Sequence, residues 1–489
     1  MLKMCLFASL CLFTTALQAD HHKTKTPIKH LIVIFQENRS FDTYFGTYPH
    51  AENRKGEPHF SFIQKTPAVN GLNRALKKIN QNLAQPFRIS PNNATQTNPG
   101  HVYTILQQAA DSGLMDMFVQ TTGKNCTPPK TVMGYFDGNT VTGLWNYAQF
   151  FSMSDNFHTT NICGSTVGHV NLISGQVHGA TPTTLNFQSN PIVIDGTLIN
   201  DIDPQFDRCS LTPPVSLSGR NVGNLLNEKK VTWGWFQGGF RDCAKTHTGP
   251  LGQPVVDYVP HHNPFQFYQS TSNPEHLPPT SAKHVGKSDR ANHLYDLKDF
   301  WDAAKVGNIP AVSFFKPRAF QNGHAVNSNP LFEQRFLVST INKLQKLPQW
   351  KDMCVIIAWD DNGGFYDHEV PPIVNQSQTS ADAFNAPGFC GSNPPLGGYQ
   401  GRAGYGYRVP FVLISPWAKR NYVDHKLIDQ TSILRFIEDN WDLGRIGDFS
   451  FDEFAGSIEH MFNFKKRNLR YLFLDHKTGE IKKKKVVEN

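Results

Sequence analysis

The chain lacks several features that mark common classes of protein. None of its eight cysteines forms a CxxC pair, which argues against a thiolate zinc site. Beyond the N-terminal segment there is no run of 18 apolar residues, so no transmembrane helix is expected in the mature chain. The formal net charge is only +7, and four of the positive charges lie in Lys482–Lys485, which leaves no basic surface that would indicate nucleic-acid binding.

Residues 1–19 predict a secretory signal peptide. Lys3 supplies the positive charge, Met4–Leu17 is largely apolar, and Ala19 offers a small residue at the cleavage position. We therefore expect an exported protein, secreted or periplasmic, that begins at Asp20 and has no membrane anchor. In an oxidising compartment its six remaining cysteines allow up to three disulfides, although Cys354, at the head of a predicted buried strand, suits a core thiol.

The rest of the chain predicts one α/β catalytic domain, residues 20–475, and a basic C-terminal tail, residues 476–489. Short apolar strands such as Arg408–Pro416 alternate with helical stretches such as Leu144–Met153 and His425–Trp441. This alternation is typical of a mostly parallel central sheet flanked by helices. The 37 glycines and 32 prolines indicate long loop excursions. We expect the lysine-rich tail to be solvated and disordered, with contact to an anionic surface as the alternative.

Two short apolar runs, Leu31–Phe35 and Val355–Ala358, predict strands buried on both faces of a sheet. Oxygen-bearing side chains follow each run directly. These are Glu37, Asn38, Asp360 and Asp361. Neighbouring parallel strands would bring all four into one crevice at the carboxyl ends of the strands. Adjacent carboxylates repel each other unless a cation lies between them, so we expect a divalent metal site; two unrelated strand-end turns are the alternative.

A glycine-flanked turn, Cys163–Thr166, precedes a helical run. A hydroxyl in such a turn at a helix N-terminus can be a nucleophile toward an anionic ester, with backbone N–H groups receiving the charge. The same pattern is typical of an ordinary helix N-cap, and the residues alone leave both interpretations open. Histidine suits general acid catalysis near neutrality, but the chain holds 20 histidines, so most of them must be incidental.

Together these motifs resemble the bacterial phosphoesterase family that holds secreted phospholipases C and acid phosphatase A. The matching blocks run in the family's order from His30 to Trp441 and include ENRSFD, GSTVGHVNLISGQ, VPHHNPFQFY and AWDDNGGFYDHEVPP. The resemblance implies a fold similar to that of alkaline phosphatase, with a central mostly parallel sheet between helices. It also implies a metal-dependent phosphoric ester hydrolase.

The resemblance further implies a role for each motif residue. The four strand-end residues would bind a divalent metal; we favour Zn²⁺ over Ca²⁺, Mg²⁺ and Mn²⁺ because the pocket also offers histidines. Ser165 matches the family's nucleophile, although Gly164 and Val167 stand where the family usually has proline, which leaves Thr166 as the alternative. The pocket histidines, expected to bind phosphoryl oxygens and protonate the leaving group, are His101, His261, His262 and His324. We also place Lys316 among the substrate-binding residues.

The expected activity is that of a secreted phospholipase C. It would hydrolyse glycerophospholipids such as phosphatidylcholine to diacylglycerol and a phosphorylated headgroup, through a phosphoseryl intermediate, during transient contact with a membrane surface. A broad-specificity acid phosphatase of the same family is the alternative. A non-catalytic secreted binding protein on this fold is the third hypothesis.

Overall fold

The computed structural model describes residues 23–378, 390–399, 403–467 and 469–487. The predicted signal peptide lies outside these ranges. Within them, no helix has the length and apolar character needed to cross a membrane.

An eight-stranded sheet forms the centre of the domain. Its strands are β1 (His30–Gln36), β2 (Ser152–Ser154), β3 (Trp233–Gln237), β4 (Leu294–Asp296), β5 (Val312–Lys316), β6 (Met353–Trp359), β7 (Phe411–Ile414) and β8 (Tyr422–Asp424). Their order across the sheet is β4-β3-β5-β1-β6-β7-β2-β8. Of these eight strands, β7 alone runs antiparallel to its neighbours. The predicted α/β class with a mostly parallel sheet is confirmed.

Strands β1 and β6 lie side by side in the middle of the sheet. They are parallel and in register from His30 beside Met353 to Gln36 beside Trp359. Apart from His30, every residue of the two strands is buried, as their apolar runs predict. Because the strands are in register, the residues that follow them emerge together at one edge of the sheet.

Eight α-helices lie within the described ranges. They are α1 (Phe41–Phe45), α2 (Tyr103–Ala110), α3 (Thr142–Phe150), α4 (Ser165–Ser174), α5 (Val222–Glu228), α6 (Leu297–Lys305), α7 (Pro330–Leu344) and α8 (Gln430–Trp441). The helix predicted from His425 begins too early. Helix α8 begins at Gln430, because Asp429 caps it by accepting the Thr431 N–H at 3.1 Å. The prediction of a helix to Met153 was also wrong at its end, since Met153 lies in β2.

Short strands also form small separate sheets of two or three strands. They are Phe87–Arg88 with Gly134–Tyr135, Phe157–His158 with Ile428–Asp429, Ala180–Thr181 with Ser216–Leu217, Leu185–Phe187 with Asn190–Ile194 and Thr197–Leu198, Thr246–Thr248 with Pro254–Val256, and Leu469–Leu474 with Ile481–Val487. The last pair corrects the prediction for the basic tail. Lys482–Lys485 are exposed, as expected, but they belong to an antiparallel hairpin whose backbone hydrogen bonds order the segment.

The cysteines fulfil only part of the disulfide expectation. Cys209 and Cys243 form a disulfide. Cys126, Cys163 and Cys354 are buried thiols, and Cys354 lies in β6 as predicted. Among the described residues one disulfide is therefore present where three were allowed.

Candidate active site

Four oxygen-bearing side chains converge where β1 and β6 end. They are Glu37, Asn38, Asp360 and Asp361, and each is at most 1% exposed. Asp360 Oδ1 accepts the backbone N–H of Asn38 at 2.9 Å and that of Asp361 at 2.8 Å, which fixes the carboxylate. Its other oxygen, Oδ2, is buried and has no hydrogen-bond partner among the described residues. The predicted convergence of the two strand ends is therefore present in the structure.

Glycines allow the backbone to pack tightly around this cluster. Gly363 has a φ of +61°, and a Cβ there would lie 2.7 Å from the Cβ of Asn38. Helix α4 packs directly on the end of β6. The approach is so close that a Cβ on Gly168 would lie 2.3 Å from the carbonyl oxygen of Asp360. Larger residues at these two positions would push the strand ends and α4 apart.

Ser165, the first residue of α4, reaches into the cluster. Its Oγ lies 3.1 Å from Asp361 Oδ2, 3.3 Å from Glu37 Oε2 and 3.3 Å from Asn38 Oδ1. The N-cap residue is Gly164 and Ser165 is the first residue of the helix, so the N-cap interpretation of this serine is wrong. Thr166 Oγ1 instead accepts the N–H of Ile202 at 3.3 Å. The geometry therefore favours Ser165 over Thr166 as the reactive hydroxyl.

The donor set fits a divalent cation. A hydroxyl donates one hydrogen bond, yet Ser165 Oγ faces three acceptor oxygens. Burial and the charge of Glu37 raise the pKa of Asp360 well above the usual range. Burial and the charge of Asp360 do the same to the pKa of Asp361. A cation among these oxygens would offset both the burial and the repulsion. Oxygen ligands suit several divalent metals, so this set alone does not select one.

Lys316, at the end of β5, contributes a fixed positive charge. It is fully buried, and its ammonium group pairs with Glu37 Oε1. Burial raises the pKa of Glu37 to about 7, even though Lys316 acts in the opposite direction. Lys316 thus touches a predicted metal ligand, and its contact with substrate stays a prediction.

The predicted histidines lie around the cluster in two pairs. In the first pair, His101 Nδ1 donates to the carbonyl oxygen of Pro99 at 2.8 Å, and His101 Nε2 lies 3.2 Å from Asn38 Nδ2. The amide group of Asn38 therefore donates to His101 and leaves its oxygen facing Ser165. The ring of His324 lies beside that of His101, with centroids 5.8 Å apart.

The second pair comes from a 3₁₀ turn, Pro260–His262. His262 Nδ1 lies 3.2 Å from Glu37 Oε1, whereas His261 Nδ1 pairs with Asp203 Oδ1 at 3.3 Å. The structure thus brings all four predicted histidines to the site, although their catalytic roles stay predictions.

The surroundings of the histidines set which of them holds a proton. Burial lowers the pKa of His324 to about 3 and holds that of His262 well below its usual range. Burial also opposes the charged form of His261, but the hydrogen bond to Asp203 and the charge of Asp201 outweigh it and raise the pKa of His261. Of these three histidines, His261 is therefore best suited to carry a proton near neutrality.

The sequence prediction missed His169 and the two aspartates that act on His261, Asp201 and Asp203. His169 stacks on His262 with ring centroids 5.0 Å apart, and its Nε2 lies 3.7 Å from Glu37 Oε1. It follows Ser165 by four residues, and this spacing on a predicted helix could have placed it on the same face. Glu37, His169 and His262 lie close enough together to hold a metal ion, although the ammonium group of Lys316 contacts the same oxygen of Glu37.

Comparison with known proteins identifies the family. The model of the phosphoesterase family matches residues 28–444. The chain belongs to the phosphoesterase family. Phospholipase C A of Mycobacterium tuberculosis is 23% identical over 427 residues, covering 84% of this chain and 72% of the relative. Phospholipase C B of the same organism is 26% identical over 433 residues, covering 84% and 73%. The non-hemolytic phospholipase C of Pseudomonas aeruginosa is 25% identical, and the match covers 85% of this phosphoesterase and 54% of the relative.

Solved structures give more remote likenesses. A protein in the alkaline phosphatase superfamily from Vibrio parahaemolyticus has a TM-score of 0.31 at 11% identity, covering 65% of each chain. Human ectonucleotide pyrophosphatase/phosphodiesterase 5 has a TM-score of 0.31 at 10% identity, covering 65% of this chain and 95% of the other. Membership of the phosphoesterase family rests on the sequence match and not on these likenesses.

Proposed function

We propose that this phosphoesterase is a secreted phospholipase C that hydrolyses glycerophospholipids such as phosphatidylcholine. The observation that carries the proposal is the position of Ser165 Oγ, within 3.3 Å of oxygens from Glu37, Asn38 and Asp361. This arrangement suits a nucleophilic hydroxyl at a metal centre. The names of the relatives, phospholipases C, favour a phospholipid as the substrate.

In the proposed reaction, Ser165 Oγ, deprotonated in the active enzyme, attacks phosphorus, and the bond from phosphorus to the glycerol oxygen breaks. A bound divalent cation, for which we favour Zn²⁺, would supply the Lewis acidity that lowers the pKa of the serine hydroxyl. His261, a histidine of this site whose pKa is raised, donates its proton to the departing diacylglycerol. His261 then takes a proton from the water that attacks the phosphoseryl group, and the bond from phosphorus to Ser165 Oγ breaks, which releases the phosphorylated headgroup and restores the Ser165 oxyanion.

The proposal includes the place and the partner of the reaction. Export through the N-terminal signal segment would bring the enzyme to the lipid surface from outside the cytoplasm. The partner would be the phospholipid itself, contacted transiently, and not a nucleic acid.

A vesicle assay separates the three candidate functions. Phosphatidylcholine vesicles should release diacylglycerol and phosphocholine when the protein is loaded with Zn²⁺, and a chelator should stop the release. A chromogenic phosphomonoester is assayed in parallel. Vigorous monoester cleavage with intact vesicles would show a phosphatase instead, and inactivity of the metal-loaded protein toward both substrates would leave a binding protein.

The Asp203→Asn variant tests the assignment of the general acid. Asparagine cannot stabilise the charged form of His261 as a carboxylate does, so the pKa of His261 should fall. A general acid works while protonated, and the rate falls as the pH rises through its pKa. The alkaline limb of the kcat/KM profile should therefore move to lower pH by about one unit. His261→Gln should remove this limb, and an unchanged limb in folded Asp203→Asn would contradict the assignment.

A further inference from the structure

Asp201 lies against the turn that presents Ser165, outside the predicted metal-ligand set. Its Oδ1 accepts the backbone N–H of Thr166 at 2.7 Å. A Cβ on Gly164 would lie 3.2 Å from each of its two carboxylate oxygens. Gly164 and Thr166 flank Ser165 in the chain, so the carboxylate of Asp201 covers the N-terminal end of α4 beside the reactive hydroxyl.

The charge of Asp201 reaches the groups that surround the site. At His261 it acts with the Asp203 hydrogen bond against burial, and the pKa of His261 is raised. Together with its contacts at Gly164 and Thr166, this effect places Asp201 at the site and not only in its own loop.

A helix N-terminus ordinarily offers its free N–H groups and positive dipole to an anion such as phosphate. In α4 a carboxylate of the protein already uses the Thr166 N–H. A phosphoryl group that approaches Ser165 therefore finds the Thr166 N–H already bonded and meets a negative charge beside it. The resulting repulsion grows with the charge that the phosphoryl group carries.

We infer that Asp201 is a specificity-determining residue that disfavours doubly charged phosphoryl groups and so favours phosphodiesters over phosphomonoesters. The inference rests on the proposed function, because it concerns the substrate class of the same site. A monoester carries nearly two negative charges above pH 7, whereas a diester carries one. One additional charge near a carboxylate in a partly buried site corresponds to about 10- to 100-fold in selectivity.

The test compares the wild type with Asp201→Asn, in which the amide oxygen can still accept the Thr166 N–H. The kcat/KM values for p-nitrophenyl phosphate and bis(p-nitrophenyl) phosphate are measured at about pH 7.5, where the monoester is a dianion. The monoester-to-diester ratio should rise by about tenfold or more in the variant. Asp195→Asn is the matched control, since Asp195 is an exposed carboxylate of the same part of the chain, and its ratio should not change.

Calorimetric titration with inorganic phosphate gives a second readout that needs no turnover. The Asp201→Asn variant should bind phosphate more tightly than the wild type, by about the same factor. Unchanged phosphate affinity and an unchanged ratio in a folded variant would overturn the inference. Equal loss of activity toward both esters, with normal thermal unfolding, would also overturn it and make Asp201 a positioning residue. If the wild type cleaves neither ester, the vesicle assay decides the proposed function, and the phosphate titration alone decides the role of Asp201.

Discussion

Replacing Ser165 with alanine should lower kcat/KM for a phosphodiester by at least about 10³-fold, because the atom that attacks phosphorus is lost. The substitution is small and leaves the backbone of α4 unchanged. Ser165→Ala should also retain its bound metal, since the four predicted ligands remain. Metal content measured by mass spectrometry on the same sample separates loss of the nucleophile from loss of the metal.

Thr166→Val is the matched control for this experiment. It removes the neighbouring hydroxyl, whose role in the structure is to accept the N–H of Ile202 at 3.3 Å. We expect less than about a tenfold loss of kcat/KM, in line with a lost structural hydrogen bond. An inactive Thr166→Val beside an active Ser165→Ala would move the nucleophile to Thr166. Full activity in both variants would contradict a covalent mechanism.

The central part of the site can be predicted from the sequence because its residues directly follow two short apolar runs. The apolar runs of β1 and β6 mark two buried strands, and the polar residues after them mark their ends. One further assumption, that the two strands are parallel neighbours, is enough to bring Glu37 and Asp360 together. The structure meets this assumption, with Gln36 paired beside Trp359.

Other parts of the structure have no such local signal. Asp201 and Asp203 lie in an irregular segment, and their contacts with Thr166 and His261 depend on how that segment packs against α4 and the 3₁₀ turn. Likewise, the four lysines of the tail indicate solvation, but their strand depends on pairing with Leu469–Leu474. Such pairings between segments are set by the tertiary fold and not by composition.

Asp360→Asn should reduce the bound metal from one ion per chain to below about 0.1, which is the second large effect we expect. Asp360 Oδ2 is buried and without a hydrogen-bond partner in the described structure, so it is free to bind a cation. The amide oxygen of asparagine can still accept the N–H groups of Asn38 and Asp361. The variant therefore keeps the local fold but loses the negative charge that the cation needs.

Thermal unfolding gives a readout of this loss that does not depend on activity. A metal that binds only the folded state stabilises it by RT ln(1 + [L]/Kd), which is about 2.7 kcal/mol at 100 times Kd. The Tm of the wild type should therefore rise with added metal, and that of Asp360→Asn should not. Without metal, Asp360→Asn should have a higher Tm than the wild type, because the variant has one buried carboxylate fewer beside Glu37 and Asp361.

The pH dependence of the metal-free protein follows from the same carboxylates. Their pKa values are raised in the folded state, to about 7 for Glu37 and well above the usual carboxyl range for Asp360 and Asp361. The folded state thus binds more protons than the unfolded chain, and its stability falls as the pH rises from the ordinary carboxyl range through the raised values. Metal-free wild type should accordingly lose more Tm between about pH 5 and pH 8 than Asp360→Asn does.

Asp367→Asn is the matched control for the metal experiment. Asp367 is as fully buried as Asp360, but its carboxylate pairs with the guanidinium of Arg408 at 2.9 Å. Its replacement should lower the Tm, because the buried Arg408 loses a partner, and should leave the metal content unchanged. If Asp360→Asn retained a full equivalent of metal while Asp367→Asn lost it, the cation would belong to the Asp42, Asp367 and His368 group and not to the site beside Ser165.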